Sequence, residues 1–180
     1  MLDQLRSCLG PAHVLTGKDA EPYGWDWGHE SFEAPLAVVR PGSTAEVAEV
    51  VKWANATSTP LIPLGGRTGM AGGGQGEGAL VVSLERMNRI RDIRPDARSI
   101  VVEAGVIIAK IHDAVEPHGL IFPLFFGARG SAMIGGALAT NAGGSNVLRY
   151  GNTRDLVLGI EAVLPTGEVV ELMHDLHKNN

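Results

Sequence analysis

The sequence from residue 63 to residue 74 reads PLGGRTGMAGGG and lies between two apolar runs that each predict a strand. Its backbone can curl so that successive N–H groups point inward, an arrangement that binds anions. Glycine suits such a loop, because positive φ angles and the close approach of a phosphate both exclude a Cβ atom. Thr68 adds a hydroxyl donor. The loop predicts a phosphate site, and composition alone leaves a flexible glycine-rich hairpin loop open as the alternative.

Two other glycine motifs for phosphate binding are excluded by their context. Residues 74–79 read GQGEGA and satisfy the spacing of the dinucleotide-binding motif, but an apolar run follows where that motif needs a helix. A P-loop requires a lysine followed by Ser or Thr, and residues 63–79 contain no lysine. The sequence therefore predicts neither a Rossmann fold nor kinase or ATPase chemistry.

The rest of the chain predicts an α+β fold with two lobes. Ser43 and Glu46 form a capping-box pattern ahead of an apolar face with helical spacing, and residues 106–115 predict a second helix. We expect a first lobe over residues 1–84 and a second over residues 85–180. Strands are predicted at 36–39, 60–63, 79–83 and 99–103, and a hairpin at 156–164 and 168–172.

Composition excludes several classes of protein. The 180 residues are 44% hydrophobic and carry a net charge of −5, which argues against a basic groove for nucleic acid or an anionic membrane surface. Cys8 is the only cysteine, so there is no internal disulfide framework. Residues 1–10 contain Asp3 and Arg6 and no continuous apolar stretch, so we expect no signal peptide and no membrane span. A cytoplasmic protein, or one whose leader has been removed, is the expectation.

A second glycine-rich window covers residues 127–151. It reads GARGS at 127–131, IGGALATNAGG at 134–144 and RYG at 149–151. Together with the first loop, this window resembles the FAD-binding domain of the vanillyl-alcohol-oxidase and p-cresol-methylhydroxylase (PCMH) superfamily. Within it, the TNAGG run at 140–144 resembles the D-lactate, glycolate and D-2-hydroxyglutarate dehydrogenase branch. Further landmarks of the branch occur in the same order at residues 26–27, 37–41, 83–88, 102–106 and 157–161.

The resemblance implies a two-lobed PCMH-type domain that binds FAD and is incomplete at its C-terminus. A small parallel β-α-β lobe would be followed by a lobe of mixed or antiparallel sheet with helices. The first loop would hold the FAD pyrophosphate, and the second window would run past the ribityl chain and the planar flavin ring. The residues expected to bind FAD are Pro63, Gly65, Gly66, Arg67, Thr68, Gly69, Met70, Ala71, Pro123, Gly127, Ser131, Gly135, Gly136, Thr140, Asn141, Gly143, Gly144, Tyr150 and Gly151.

Departures from the family pattern refine these expectations. Relatives with covalently attached flavin carry a histidine after the paired glycines of the first loop, whereas this chain has Arg67, so FAD should be non-covalent. Phe125 and Phe126 stand where close relatives carry an acidic and an aliphatic residue, and Ala137 replaces a frequent asparagine. Contacts near the flavin should differ accordingly.

The function implied by the resemblance is FAD-dependent oxidation of a small D-2-hydroxy acid to the 2-oxo acid, with electrons passed to a further acceptor. The catalytic base, and any metal, would lie in a cap domain outside this sequence, so we expect these residues alone to be inactive and to bind FAD weakly or not at all. A homodimer is expected. The alternatives are a sugar-lactone oxidase or the cell-wall enolpyruvyl reductase, which the TNAGG run disfavours, and a non-catalytic nucleotide-binding or assembly module.

The histidines suggest no metal site. His174 and His177 have a spacing that suits two ligands on a helix, but nothing nearby in the sequence completes a site, and we expect a solvated tail. His112 and His118 are expected at the surface of the second predicted helix and its exit. Trp27, next to Asp26, is expected to anchor a loop, and the alternative for these two residues is a position near a substrate entrance.

Overall fold

The structure is a computed structural model that describes residues 2–173. The described residues divide into two compact units, one of residues 2–86 with 162–170 and the other of residues 87–161 with 171–173. His174 and His177 lie outside the described residues. No helix within the described range is long and apolar enough to cross a membrane.

The first unit is built on a four-stranded sheet. Its strands are β1 (Val14–Leu15), β2 (Ala37–Val39), β3 (Leu61–Leu64) and β4 (Leu80–Ser83), in the order β1-β2-β4-β3. The pairs β2–β4 and β3–β4 are parallel, and β1 is an antiparallel edge strand. All residues of β2 and β4 are buried, as expected of parallel strands covered on both faces.

Two helices cover this sheet, α1 (Asp3–Leu9) and α2 (Thr44–Thr57). The predicted capping residues start α2: the Ser43 hydroxyl accepts a hydrogen bond from the Glu46 N–H at 3.2 Å. The Glu46 carboxylate accepts from the Gly42 N–H at 2.8 Å, one residue earlier than a standard capping box requires. Val50 and Trp53 of α2 are buried in the main core, and burial of one such side chain contributes about 1.5–3 kcal/mol.

The second unit contains an antiparallel pair and three helices. Strands β5 (Ile90–Arg94) and β6 (Ser99–Val102) pair with an irregularity between Ile90 and Asp92. The helices are α3 (Ile108–Val115), α4 (Ile134–Ala139) and α5 (Val147–Tyr150). The core of this unit is formed by the buried residues Ile108, Leu124, Ala132 and Ala137.

An ion pair between a buried carboxylate and an exposed arginine joins the ends of β5 and β6. The side chain of Glu103 is fully buried and accepts from the Arg89 N–H at 2.9 Å, from Arg89 Nη2 at 2.8 Å and from Arg89 Nε at 3.1 Å. Burial by itself raises the pKa of the Glu103 carboxyl, but the hydrogen bonds from Arg89 and the charges of Arg89 and Arg91 outweigh it, so the pKa is lowered. The carboxylate is therefore ionised and fixes the strand ends.

The last two strands are β7 (Ile160–Val163) and β8 (Val169–Leu172), which form a two-stranded sheet. Gly167 has φ +83° in the connecting turn, and the Leu164 N–H donates to Glu168 O at 2.8 Å. The strand predicted over 156–164 begins too early, because residues 153–156 form a 3-10 turn instead.

The other sequence predictions have clear outcomes. The strands predicted at 36–39, 60–63, 79–83 and 99–103 are confirmed as β2, β3, β4 and β6, and the second helix is confirmed as α3. β4 follows residues 74–79, so the rejection of a Rossmann motif there is also confirmed. The sequence patterns did not predict α1, β1, β5, α4 and α5.

Candidate functional site

The glycine loop leaves the sheet at an edge suited to ligand binding. Because β2, β3 and β4 are parallel, their carboxyl ends share one edge, and residues 65–79 connect the end of β3 to the start of β4. A hairpin requires antiparallel strands, so the hairpin alternative for this loop is wrong. Ligands of open parallel sheets bind outside the carboxyl ends of the strands. The loop has the position that the phosphate interpretation requires.

The surface of this loop is open. The Thr68 hydroxyl has no hydrogen-bond partner within residues 2–173, so it is available to a ligand. A Cβ atom built on Gly69 or Gly73 meets nothing within 4 Å, and Met70 is 81% exposed. The backbone at Gly69 and Gly73 is therefore uncovered by side chains.

Arg67, inside the loop, has φ 54° and its side chain binds within the first unit. Its Nη1 donates to Pro22 O at 2.6 Å, and its guanidinium carbon lies 5.3 Å from the centre of the Tyr23 ring. The Tyr23 hydroxyl donates to Glu85 at 3.0 Å, and Arg40 forms an ion pair with the same carboxylate at 3.0 Å. Burial, followed by the hydrogen bond to Glu85, raises the pKa of Tyr23, so the hydroxyl remains a donor.

The segment around Pro22 and Tyr23 also carries the two neighbouring tryptophans. Trp25 packs on Phe32, with ring centres 4.9 Å apart, whereas Trp27 is 58% exposed. The expectation that Trp27 anchors a loop is wrong. Of these two tryptophans, Trp25 anchors the segment, because its ring packs on Phe32.

The glycines of the second window fall into two groups. A Cβ on Gly135 would lie 2.8 Å from Ala104 Cβ, and a Cβ on Gly144 would overlap Phe125 O, so the fold itself requires glycine at these two positions. A Cβ on Gly127 or Gly136 meets nothing within 4 Å, and neither residue has a positive φ. The packing of the described residues therefore does not explain glycine at these last two positions.

Asn141 contributes to the structure of the C-terminal end of α4. Its φ is 52°, a left-handed conformation common just after a helix, and its Oδ1 accepts from the Arg154 N–H at 3.0 Å. The Arg154 side chain donates to Leu138 O at 3.2 Å and to Ala139 O at 2.9 Å. These contacts satisfy carbonyl groups that the short helix leaves without intrahelical partners.

The other polar residues expected at FAD differ in availability. The Ser131 side chain is exposed and has no hydrogen-bond partner in the part of the chain that the structure describes. The Thr140 hydroxyl donates to Gly136 O at 3.0 Å, and Arg149 lies 5.2 Å from the centre of the Tyr150 ring. Within the described residues, the hydroxyls of this group that have no hydrogen-bond partner are therefore those of Ser131 and Tyr150.

An open depression of about 590 Å³ lies on the second unit beside Gly144. It is lined by Phe125, Phe126, Arg129, Gly144, Ser145 and Asn146. Of these, the FAD-binding prediction included Gly144 alone. The sequence departs from the family pattern at Phe125 and Phe126. That departure was the signal from which these two lining residues could have been predicted.

His112 belongs to the packing of this unit. Its ring stacks on Phe125 at 4.3 Å between centres, and its Nε2 lies 3.1 Å from Leu124 O. The ring is half-buried, so the expected surface role is wrong for His112. Within residues 2–173 no three His, Cys, Asp or Glu side chains come together as a metal site.

Comparison with known proteins identifies relatives over most of the chain. The model of a family described as FAD binding domain matches residues 35–173. D-2-hydroxyglutarate dehydrogenase of Xanthomonas citri pv. viticola is 47% identical over 163 residues, which cover 90% of this chain and 34% of that protein. The mitochondrial D-2-hydroxyglutarate dehydrogenase of Bos taurus is 37% identical over 172 residues, which cover 94% of this chain and 32% of that protein.

A solved structure has the same fold at low identity. An alkyldihydroxyacetonephosphate synthase superposes with a TM-score of 0.85 at 20% identity, covering 95% of this chain and 34% of that one. This likeness concerns the fold alone. The chain thus spans 34% or less of the length of each of these three proteins.

Proposed function

Since this chain belongs to the FAD binding domain family, we propose that it supplies the FAD-binding part of a dehydrogenase that oxidises a small D-2-hydroxy acid to the 2-oxo acid. The observation that carries the proposal is the open glycine loop, with the free Thr68 hydroxyl, at the carboxyl edge of the parallel sheet. Relatives named D-2-hydroxyglutarate dehydrogenase make D-2-hydroxyglutarate the first substrate to test, ahead of D-lactate and glycolate.

We assign the FAD diphosphate to the glycine loop of the first unit. The backbone N–H groups of residues 65–71 and the Thr68 hydroxyl are the proposed donors. Hydrogen bonds to a charged acceptor contribute roughly 1.5–3 kcal/mol each, so several of them anchor a diphosphate firmly.

We assign the ribityl chain and the flavin ring to the second window. Gly127 and Gly136 leave room for a flat ring against the backbone, and Ser131 offers a free hydroxyl. FAD, when bound, accepts the hydride that the substrate loses from its Cα, while the hydroxyl proton passes to a base. The part of these residues is to bind and orient the ring; no residue of this chain is proposed as that base.

FAD is proposed to bind without a covalent link. Arg67, at the position where a histidine would make the link, has no nucleophilic group, and its guanidinium bonds Pro22 O. Acid precipitation of the purified complete gene product should release all flavin into the supernatant. Flavin that stays with the precipitate would contradict this assignment.

Activity of the complete gene product tests the proposed function. Oxidation of D-2-hydroxyglutarate, D-lactate, glycolate and a sugar lactone is followed with an artificial electron acceptor. We expect turnover of at least one of the three 2-hydroxy acids and, for the two chiral ones, no turnover of the L-enantiomer. Turnover of the lactone alone, or of none of the four with FAD bound, would refute the proposal and favour a lactone oxidase or a non-catalytic module respectively.

Two further expectations remain proposals. A homodimer is testable by light scattering on the same preparation. A cytoplasmic location is testable by cell fractionation, and one relative is named as mitochondrial.

A further inference from the structure

Side-chain contacts attach the start of the glycine loop to residues 21–34, which we call the anchor segment. Arg67 donates to Pro22 O at 2.6 Å and lies over the Tyr23 ring. A positive φ is uncommon for a residue other than glycine and persists where surrounding contacts hold it. These two contacts hold Arg67 at φ 54°, and Tyr23 is itself fixed by its hydrogen bond to Glu85.

The same segment fixes the loop at its end. Gln75 Nε2 donates to Gly24 O at 3.3 Å and to Ser31 O at 3.2 Å. The Glu77 carboxylate accepts from the Ala34 N–H at 2.7 Å. Gln75 and Glu77 therefore attach the end of the loop to the anchor segment.

We propose that Arg67 and Gln75 are positioning residues for the cofactor: they fasten both ends of the glycine loop to the anchor segment and so align its N–H groups before the diphosphate binds. The proposal rests on the proposed function. A loop that is already ordered loses less conformational freedom on binding, so each anchor raises the affinity for FAD. The Arg67 guanidinium bonds a neutral carbonyl and lies over a ring, which favours a positioning role over direct pairing with the diphosphate.

The chain offers matched variants for this test. Arg67→Asn keeps a residue that tolerates the left-handed conformation but is too short to reach Pro22 O. Gln75→Met keeps the side-chain length and removes both donors. Arg98→Asn is the control, because Arg98 is an exposed arginine with φ 50° in the turn between β5 and β6.

Flavin fluorescence titrations of the complete gene product measure the effect. We expect the Kd for FAD to rise about tenfold in Arg67→Asn, which loses a charged donor, and in Gln75→Met, which loses two neutral hydrogen bonds, and to stay within about twofold in Arg98→Asn. Without FAD, a broad-specificity protease should cut residues 65–78 faster in both loop variants than in the wild type and the control. The melting temperature of both loop variants should equal that of the wild type.

A salt series separates positioning from direct charge pairing. Exposed charge pairs are screened by salt, with a Debye length of about 10 Å at 0.1 M and about 3 Å at 1 M. If Arg67 positions the loop, the ratio of Kd values between Arg67→Asn and wild type stays constant from 0.05 to 1 M NaCl. A ratio that falls to one at 1 M would make Arg67 the counter-charge and overturn the proposal.

Two other results would also overturn it, and they are distinguishable from each other. Wild-type affinity in both loop variants would overturn the positioning proposal while the proposed function stands. A wild-type protein that binds no FAD would refute the proposed function, and the positioning proposal with it.

Discussion

Two adjacent glycines in α4 give a matched pair of substitutions that separates packing from cofactor binding. A Cβ on Gly136 meets nothing within 4 Å, whereas a Cβ on Gly135 lies 2.8 Å from Ala104 Cβ and 3.0 Å from Ala104 O. The Gly135 N–H also donates to Ala104 O at 2.8 Å, so the two backbones have little freedom to separate. The same change to alanine should therefore have opposite effects at the two positions.

The magnitudes follow from the geometry. Gly→Ala inside a helix gains up to about 1 kcal/mol in helix propensity at either position. Overpacking costs about 1–3 kcal/mol, and it applies to Gly135→Ala alone. Gly136→Ala should thus be about 1–3 kcal/mol more stable than Gly135→Ala, and each kcal/mol corresponds to roughly 2–4 °C in melting temperature for a protein of this size.

The affinity for FAD should fall in Gly136→Ala, although this is the more stable of the two variants. We expect Gly136→Ala to keep or raise the wild-type melting temperature without FAD and to bind FAD at least about tenfold more weakly, because the new methyl group occupies space assigned to the ring. Differential scanning fluorimetry and flavin fluorescence titration of the complete gene product measure the two quantities. Wild-type FAD affinity in Gly136→Ala would refute the assignment of this glycine to the cofactor, and equal melting temperatures would refute the packing argument for Gly135.

Three further predictions concern stability. Glu103→Gln should lower the free energy of unfolding by about 1–3 kcal/mol at pH 7, a limited amount because the exposure of Arg89 weakens the pair. Because the folded-state pKa of Glu103 is lowered, urea unfolding should show the full difference between variant and wild type above about pH 5 and a smaller one below about pH 4, and a pH-independent difference would contradict the ionised pair. Ser43→Ala should cost about 1 kcal/mol through the lost N-cap of α2, and Ser43→Asp should restore it in the same assay. Arg154→Ala should destabilise the end of α4, seen as faster amide hydrogen exchange there, and unchanged exchange would show that the arginine does not cap the helix.

The parts of the fold that the sequence predicted have strong local signals. The apolar runs of β2 and β4 are buried throughout, and the Ser43 and Glu46 pattern placed the start of α2. β5 was missed because its sequence, IRDIR, carries three charged residues. α4 was missed because paired glycines disfavour a helix, and contacts of this segment to Ala104 outweigh that preference.

The candidate site, like the fold, was predictable where its signal is local in the sequence and not where it depends on distant contacts. The glycine loop was recognisable from its composition, but its contacts to the anchor segment join residues 43 to 51 positions apart, and no local pattern encodes them. Sequence also treats all glycines alike. Only the positions of Ala104 and Phe125 show that Gly135 and Gly144 serve packing while Gly136 faces open space.

Titration of the apo form of the complete gene product with FAD tests the central claim most directly. The glycine loop and the second window predict saturable quenching of flavin fluorescence at one FAD per chain, weakened by Gly136→Ala and by Arg67→Asn but not by Arg98→Asn. Absence of saturable quenching in the wild-type protein, or equal affinity in all four proteins, would contradict the account.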